Sequence, residues 1–407
     1  MTICIYYSNP YISEFAANVV SIKDDWIILD QTAFYPGGGG QEADVGTIEG
    51  IPVIEMKQSG NTISHRVPNH TFVTGQNVQG IIDWKRRYEL MMGHTGEHLL
   101  FSHLSKICPD IKLVKISIGQ DRKSLTIKGA LDWDALAVAQ ERVLDSIEAN
   151  FPISIFNVSK DDVSLDDARI KIDRIHGNDV RLVDIGDIDR AACSGIHVRD
   201  TSELGMLLIT RLVSARPDAD FEIEFEIGDV AKRTALNLSI TALQSAEALG
   251  ARVQDLNRAL GNVLNERDVQ AQQLRMYEEK ALDNLTPSRI GDVNLYSGLF
   301  GAMDKRTLLN AAARFTKNHA ACVLGSAGER FMLVIACSPD VDIDCADLIN
   351  RVLEPEGGRG GGKRHFATGG APSPERGEDI MVRAIVKLRT VLEDTASGGA
   401  DTLSDIK

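Results

Sequence analysis

Hydrophobic and polar residues recur with different periods along this chain, and the changes of period divide its first half into two parts. Residues 1–80 carry short β-type runs, such as WIIL at residues 26–29, separated by Gly, Pro and Asn. This pattern is typical of a small barrel or sandwich. Residues 81–228 combine helical spacing, as in RYELMMGHTGEHLLFSHLSKI, with the strict alternation of FEIEFEIGD. That combination predicts an α+β domain.

The second half divides at about residue 287. In residues 229–286, apolar residues recur every three or four positions, and no proline occurs before Pro287; this predicts one or two long amphipathic helices. The heptad falters between Leu243 and Leu249 and again at Arg267, so an intramolecular spacer and a dimer seam both remain open. Residues 287–407 alternate strands such as RFMLVIACS with helical stretches. We therefore predict an α+β multidomain protein: an N-terminal small β-barrel, an α+β domain, a long helical spacer and a C-terminal α/β domain.

Composition places the chain among soluble globular proteins. It has 407 residues, of which 43% are hydrophobic and 25% are charged. No stretch approaches the ~20 apolar residues of a membrane span, so we predict a cytoplasmic protein that binds no membrane. The six cysteines are scattered through the chain, which favours reduced thiols over disulfides.

The charge of the chain argues against a general attraction to nucleic acid. The formal net charge is −14, so any RNA contact depends on local basic stretches. One stretch is WKRRYE, with Lys85, Arg86 and Arg87, which we interpret as a solvated face. The other, GGRGGGKRHF, carries three basic residues without an acid between them: Arg359, Lys363 and Arg364.

Two pairs of residues have the spacing of metal ligands. His94 and His98 are four residues apart, so on a helix both imidazoles lie on one face about one turn apart. Cys193 and His197 are also four apart, around a glycine. Thiolate and imidazole are ligands that zinc favours, so the two pairs predict a single zinc site with three nitrogens and one sulfur. We interpret five of the other six histidines as ordinary surface or core residues: His65, His70, His103, His176 and His319.

Three motifs together resemble the editing domain of alanyl-tRNA synthetase and of the freestanding alanyl-tRNA editing proteins. They are TAFYPGGGGQ, HTGEHLL and CSGIHV, and they occur in that family's order and spacing over residues 1 to about 228. GGRGGGKRHFATGGA is similar to the synthetase's C-terminal domain, a tRNA-binding and oligomerising module. The chain is identified as a member of the long form of the freestanding proteins. It departs from the family at Ile196, where threonine is usual, at Gly96, where alanine is usual, and at Arg364, near a common proline.

The resemblance implies a trans-editing hydrolase. It would cleave the aminoacyl ester of tRNA(Ala) mischarged with serine, and also with glycine, and it would bind one zinc per chain. The domains would be a glycine-loop barrel (residues 1–80), a zinc-binding editing domain (81–228), the spacer (229–286) and a tRNA-binding or oligomerising domain (287–407). The family's metal ligands map onto His94, His98, Cys193 and His197, and its hydroxyl near the scissile bond maps onto Thr32. Its tRNA contacts would include Arg359, Lys363 and Arg364.

The glycine run has a physical interpretation of its own. Glycines leave backbone N–H groups open to close approach and allow positive φ. We therefore expect Gly37, Gly38, Gly39 and Gly40, called the glycine loop below, to cradle the aminoacyl ester or the terminal ribose. Gln41 would add a side-chain amide donor near the reacting carbonyl. Thr32 is the candidate that senses the hydroxyl of serine.

Several alternatives stay open at this point. Four protein ligands are typical of a closed structural zinc site, whereas catalytic zinc usually keeps one position open. The metal would therefore either act on the carbonyl or water, or position the amino group of the substrate. Glu97, between the histidines, is assigned no role. The rival functions are a non-catalytic tRNA-binding protein with structural zinc and a zinc hydrolase of free aminoacyl esters. A homodimer through the spacer or the C-terminal domain is also left open.

Overall fold

A computed structural model describes residues 2–162, 165, 168–170 and 178–398. The chain forms two compact units, one up to Ser245 and the other from Ala246 onward. No helix among the residues described is long and apolar enough to cross a membrane. The mixture of helices and sheets in both units agrees with the predicted α+β multidomain class.

The first unit begins with a region of short strands. In chain order its elements are β1 (Ile3–Cys4), α1 (Ile5–Ser8), β2 (Glu14–Lys23), β3 (Trp26–Leu29), β4 (Gln31–Thr32), β5 (Gly46–Ile48), β6 (Ile51–Pro52), β7 (Glu55–Ser59), β8 (Thr62–Arg66) and β9 (Asn77–Ile82). Seven of them form one antiparallel sheet in the order β6-β5-β9-β2-β3-β8-β7, and β1 pairs with β4 in parallel. Phe15, Ala17 and Val19 alternate inward along β2 and belong to the core of this region.

The seven-stranded sheet, for which the sequence predicted a small barrel, forms only a half-barrel. Strand β2 pairs with β9 through its first half and with β3 through its second half, and the register shifts between Val19 and Ser21. This irregularity bends the sheet, but its end strands, β6 and β7, do not pair with each other among the residues described. Strand β6 has only two residues, and one of them is Pro52, which has no N–H to donate. The prediction of a closed barrel is therefore wrong.

The rest of the first unit surrounds one buried helix. Its elements are α2 (Trp84–Ile107), β10 (Lys112–Ile118), β11 (Lys123–Lys128), α3 (Trp133–Ala149), β12 (Ile153–Ser159), β13 (Asp179–Ile185), β14 (Asp189–Ala192), a 3-10 turn (Thr201–Leu204), β15 (Leu207–Ser214) and β16 (Phe221–Ile227). Two antiparallel sheets form, in the orders β10-β11-β16-β15 and β12-β13-β14.

Helix α2 is the centre of the site described below. Asp83 caps its first turn by accepting a hydrogen bond from the Arg86 N–H at 3.1 Å, as N-terminal aspartates commonly do. Every residue from position 90 to position 104 is buried, and the helix packs against α3, β10, β11 and β16. Its two motif histidines therefore point into the interior of the unit.

The predicted helical region consists of two helices. Helix α4 (Gly228–Ala248) and helix α5 (Leu256–Asp283) are separated by a short segment. Gly250, with φ of 61°, lies in that segment, where a left-handed residue ends a helix readily. Proline follows at Pro287, so the sequence predicted both the helices and their limit.

The second unit contains a mixed sheet. Beyond α5 its elements are β17 (Ser288–Ile290), β18 (Val293–Phe300), α6 (Lys305–Phe315), β19 (Ala320–Ala327), β20 (Phe331–Cys337), α7 (Cys345–Leu353), β21 (Arg359–Lys363), β22 (Phe366–Ala371) and α8 (Gly377–Gly398). The order is β17-β18-β19-β20-β22-β21, and only β18 and β19 pair in parallel. The predicted α/β domain is thus largely antiparallel.

The glycine-rich segment of the second unit is an edge hairpin, β21–β22. A Cβ at Gly360 would lie 2.6 Å from Ile349 Cγ2, and one at Gly369 would lie 2.5 Å from Leu353 Cδ1. Both partners belong to α7, so these two glycines let the helix pack closely on the hairpin. A Cβ at Gly361, in contrast, would meet no other described atom within 4 Å.

Candidate metal centre and glycine loop

The four predicted metal ligands come together. His94 and His98 lie one turn apart on α2, and Cys193 and His197 lie on the segment that follows β14. Their ligating atoms are all within 4.8 Å of one another, and Cys193 Sγ is 3.4 Å from Nε2 of both His94 and His197. The group, called the four-residue cluster below, can hold a metal ion, and its three nitrogens and one sulfur are compatible with zinc.

Each imidazole of the cluster is oriented by a hydrogen bond at its other nitrogen. Nδ1 of His94 is 2.8 Å from Gln41 Oε1 and Nδ1 of His98 is 2.7 Å from Asp189 Oδ2. Nδ1 of His197 is 3.1 Å from the Thr95 hydroxyl. These bonds leave every Nε2 facing the cluster, which is the arrangement that orients metal-binding histidines in proteins.

The protonation states of Cys193 and His197 are those that metal ligands need. Burial raises the pKa of the Cys193 thiol, but the neighbouring His94 and His197 outweigh it and hold that pKa well below its usual value. Burial lowers the pKa of His197 to about 3, so this imidazole is neutral. Burial also lowers the pKa of His98, yet its bond to Asp189 prevails and raises it to about 10. A metal ion bound by Nε2 of His98 would therefore displace a proton.

A buried network extends the cluster on the side of His98. Arg169 Nη2 lies 3.0 Å from Asp189 Oδ2, and Arg169 Nη1 lies 3.5 Å from Glu97 Oε1. Glu97 is fully buried, and neither of its carboxylate oxygens accepts a hydrogen bond from the described part of the chain. The motifs did not reveal Asp189 or Arg169, because neither has a characteristic spacing from the ligands.

The glycine loop has the conformation that its sequence predicts. Gly37, Gly38, Gly39 and Gly40 have φ of 87°, 146°, 60° and 90°, a region that other residues rarely adopt. The turn closes through backbone bonds between position 38 and Gln41, at 3.0 and 2.9 Å. A Cβ at position 39 would lie 3.1 Å from Ser194 Oγ and 3.9 Å from the imidazole of His94. The loop therefore lies against the four-residue cluster.

Gln41 connects the loop to the cluster. Its side chain is buried, and Oε1 accepts hydrogen bonds from His94 Nδ1 at 2.8 Å and from the Ile196 N–H at 3.1 Å. Its Nε2 finds no hydrogen-bond partner among the residues described. One amide donor beside the cluster is thus unpaired.

A buried ion pair holds both ends of the loop. Arg87 is fully buried, forms an ion pair with Asp44, and donates to the Ala33 carbonyl at 2.6 Å. Asp44 also accepts from the Tyr35 N–H at 2.5 Å. The interpretation of WKRRYE as a solvated face is therefore wrong for Arg87, which orders the chain on either side of the glycines.

Thr32 is fully buried on β4. Its hydroxyl accepts from the Phe34 N–H at 3.2 Å and lies 2.9 Å from Nε2 of His65. Burial lowers the pKa of His65 to about 4, so the imidazole is neutral near pH 7. His65 is a core residue, as interpreted, but it also orients the one hydroxyl that the family resemblance selects. The sensing role of Thr32 stays a prediction.

His70, His103 and His319 are surface or core residues, as predicted. His103 is buried with Nε2 2.9 Å from Ser146 Oγ. His70 and His319 are partly exposed, and His176 lies outside the described residues.

The three basic residues predicted to bind tRNA lie in three different environments. Arg359 lines a cavity of about 460 Å³, together with Lys305, Arg330, Thr368 and backbone of the glycine-rich hairpin. Lys363 is exposed at the other end of β21, and Arg364 forms an ion pair with Asp342. The sequence analysis did not identify Lys305 or Arg330, because Lys305 begins α6 and Arg330 directly precedes β20, both far from the hairpin along the chain.

Comparisons with known proteins agree with the motifs. The family "Threonyl and Alanyl tRNA synthetase second additional domain" matches residues 180–219, and "tRNA synthetases class II (A)" matches residues 6–86. The alanyl-tRNA editing protein AlaX-L of Pyrococcus horikoshii is 26% identical over 96% of this chain and 99% of its own length. Alanine–tRNA ligases of Methanoregula boonei and Sulfurisphaera tokodaii are 29% and 28% identical over 91% and 89% of this chain. The chain spans 42% of the length of each ligase.

A solved structure also resembles part of the chain. The C-Ala domain of Aquifex aeolicus alanyl-tRNA synthetase matches 26% of this chain and 98% of its own, with 23% identity and a TM-score of 0.24. The editing protein and the ligases confirm the predicted resemblance over nearly the whole chain.

Proposed function

Starting from this relationship to an alanyl-tRNA editing protein, we propose that the chain is an aminoacyl-tRNA deacylase. Its substrates would be tRNA(Ala) charged with serine or glycine, and the products would be free amino acid and uncharged tRNA. The observation that carries the proposal is the unpaired Nε2 of Gln41, for which no partner occurs in the described part of the chain, beside the four-residue cluster.

The unpaired amide of Gln41 destabilises the folded protein, so its presence requires an explanation. Leaving it without a partner costs about 1–3 kcal/mol of stability, and such donors are expected where a ligand supplies the missing acceptor. The carbonyl oxygen of an aminoacyl ester is such an acceptor, and it gains negative charge during hydrolysis. Gln41 is held rigidly for this task, because its Oε1 is fixed by His94 and by the Ile196 N–H.

The glycine loop supports the same assignment. Gly39 and Gly40 are exposed, so their backbone can be approached closely by a substrate, whereas the Gly38 N–H already donates to the Gln41 carbonyl. The Arg87–Asp44 ion pair orders both flanks of the loop, which keeps these groups in place without a ligand. A preorganised set of donors stabilises a developing oxyanion better than a mobile set does.

The four-residue cluster fits one zinc per chain, since its donor set and its oriented imidazoles match a zinc site. When bound, zinc supplies a positive charge that polarises or orients the substrate. Four converging protein ligands favour the orienting role, because such a set is typical of closed zinc sites. His94, His98, Cys193 and His197 would hold the ion, and Gln41 would contact the carbonyl.

Thr32 would read the side chain of the amino acid. A buried site that bonds a hydroxyl penalises a substrate that lacks it, so serine would be preferred to alanine. His65 keeps the Thr32 hydroxyl in one orientation, at 2.9 Å.

The second unit would bind the RNA. Arg359, Lys305 and Arg330 line one cavity, and three cations around a concave surface suit a phosphate of the backbone. This arrangement favours Arg359 over Arg364, whose charge is already paired with Asp342.

The decisive experiment offers the purified protein three esters: tRNA(Ala) charged with serine, tRNA(Ala) charged with alanine, and the methyl ester of serine. We expect rapid loss of the first ester and little loss of the other two. Binding of both charged tRNAs without hydrolysis would instead support a non-catalytic protein with structural zinc. Equal hydrolysis of the methyl ester would indicate a general esterase.

A further inference from the structure

A tyrosine and an arginine lie together beside the segment that carries half of the four-residue cluster. The Tyr7 hydroxyl donates to the Ser194 carbonyl at 3.2 Å, and Arg181 Nη1 donates to the Cys193 carbonyl at 2.6 Å. The guanidinium carbon of Arg181 is 4.8 Å from the centre of the Tyr7 ring. We call these two residues the Tyr7–Arg181 pair.

The pair is ordered although it lies at the surface. Tyr7 is 36% exposed, yet its hydroxyl is bonded, and the rings of Tyr6 and Tyr7 are 4.5 Å apart. Tyrosine is enriched at binding interfaces, because its ring is apolar and its hydroxyl can still form a hydrogen bond.

The pair also borders the glycine loop. Ser194 is exposed and lies between Tyr7 and the glycine loop. Its carbonyl accepts the hydrogen bond from Tyr7, and its hydroxyl oxygen would lie 3.1 Å from a Cβ placed at Gly39. On the same side, Tyr35 donates to the Gly38 carbonyl at 2.9 Å. An ester bound by the glycine loop would therefore have the Tyr7–Arg181 pair as its neighbour.

The chemistry of the pair suits a nucleobase. An aromatic ring and a planar guanidinium both stack on flat, electron-rich bases, and unpaired bases at the ends of RNA are recognised in this way. In an aminoacyl-tRNA the ester is attached to the ribose of the last nucleotide, whose base is adenine. We propose that the Tyr7–Arg181 pair stacks on this terminal adenine and so places the ester beside the cluster, an inference that rests on the proposed function.

Binding of uncharged tRNA tests this inference without any hydrolysis. The dissociation constant is measured for intact tRNA(Ala) and for the same tRNA without its terminal adenosine. For the unmodified protein we expect the truncated tRNA to bind about 5- to 150-fold more weakly, the range for one stacked base. In Tyr7→Leu this ratio should fall close to 1.

Two further variants separate stacking from a structural role. Tyr7→Phe keeps the ring and loses the bond to Ser194, so it should retain the ratio. Tyr277→Leu, which removes a tyrosine that is 69% exposed in the second unit, is the matched control and should also retain it. The zinc content of each variant verifies that the cluster is intact.

The inference is overturned if the unmodified protein binds both tRNAs equally, or if Tyr7→Leu keeps the full ratio. It is also overturned if Tyr7→Phe behaves like Tyr7→Leu, since Tyr7 would then only brace the Ser194 segment. Should Tyr7→Leu lose its metal, Arg181→Met carries the same expectation and replaces it. Failure of the proposed function would look different, as an absent deacylation with the tRNA ratio unchanged.

Discussion

Replacement of Gln41 by glutamate separates the two roles of this side chain. Oε1 accepts from His94 Nδ1 at 2.8 Å and from the Ile196 N–H at 3.1 Å, whereas Nε2 has no partner among the described residues. Glutamate has nearly the same shape and keeps both acceptor contacts, but it offers no donor to the substrate. We therefore expect Gln41→Glu to retain zinc and to lose deacylation.

The magnitude follows from the number of contacts that change. Loss of one donor to a developing oxyanion lowers the rate by about 10²–10³, or roughly 2.7–4 kcal/mol. Gln41→Leu removes the acceptor as well, so His94 loses the partner of its Nδ1. Loss of such a partner weakens metal binding by about 10- to 100-fold, and the two buried N–H groups left unpaired cost about 1–3 kcal/mol each.

Single-turnover deacylation of seryl-tRNA(Ala) and competition with a zinc chelator measure the two effects separately. Gln58→Glu, at an exposed glutamine on β7, makes the same chemical change away from the site and should match the unmodified protein. A Gln41→Glu protein that carries zinc and hydrolyses the ester at the normal rate would refute the role of the amide. Loss of zinc in Gln41→Glu would refute the argument that its acceptor contacts survive.

Four further predictions address the other parts of the molecule. Cys193→Ala should lose zinc and deacylation together; full activity in a zinc-free variant would end the metal hypothesis. Thr32→Val should reduce the preference for serine over alanine by about 10- to 100-fold, and an unchanged ratio would clear Thr32 of this role. His65 has a pKa of about 4 in the folded protein against about 6.5 when unfolded, so the unfolded chain binds a proton first as pH falls. Stability should thus decrease from pH 6.5 to pH 4 by up to about 3 kcal/mol, and denaturant unfolding of His65→Gln should show a smaller dependence. Arg359→Ala should weaken tRNA binding and reduce by about one unit the slope of log K against log salt concentration. Arg364→Ala, which breaks an ion pair with Asp342, should change this slope less. If the salt titrations of Arg359→Ala and the unmodified protein superimpose, the RNA contact lies elsewhere.

The features that the sequence predicted well are those set by local geometry. Residues four apart on a helix share a face whatever surrounds them, so His94 and His98 could be identified as a pair. A run of four glycines permits positive φ without steric cost, and all four adopt it. The helical character of residues 229–286 followed from the apolar spacing and from the absence of proline before Pro287, whereas the break near Gly250 was not predicted.

The features that the sequence could not give depend on distant partners. Arg87 resembles its solvated neighbours in a basic stretch, and only the position of Asp44 explains its burial. Asp189 reaches His98 across 91 residues of sequence, with no motif to mark it. Closure of the N-terminal sheet depended on pairing between β6 and β7, and the alternation within each strand does not determine which strands are neighbours.

The separation of the metal ligands has a consequence for how the chain is made. His98 leaves the ribosome 95 residues before Cys193, which is about 5–20 s at ordinary rates of synthesis. During that interval helix α2 carries two imidazoles and the buried carboxylate of Glu97, while Asp189 and the thiolate have not been made. A nascent chain that stops before residue 193 holds only half of the ligands. An ion held by all four residues would therefore be acquired only after His197 is made, 48 residues before the first unit ends at Ser245.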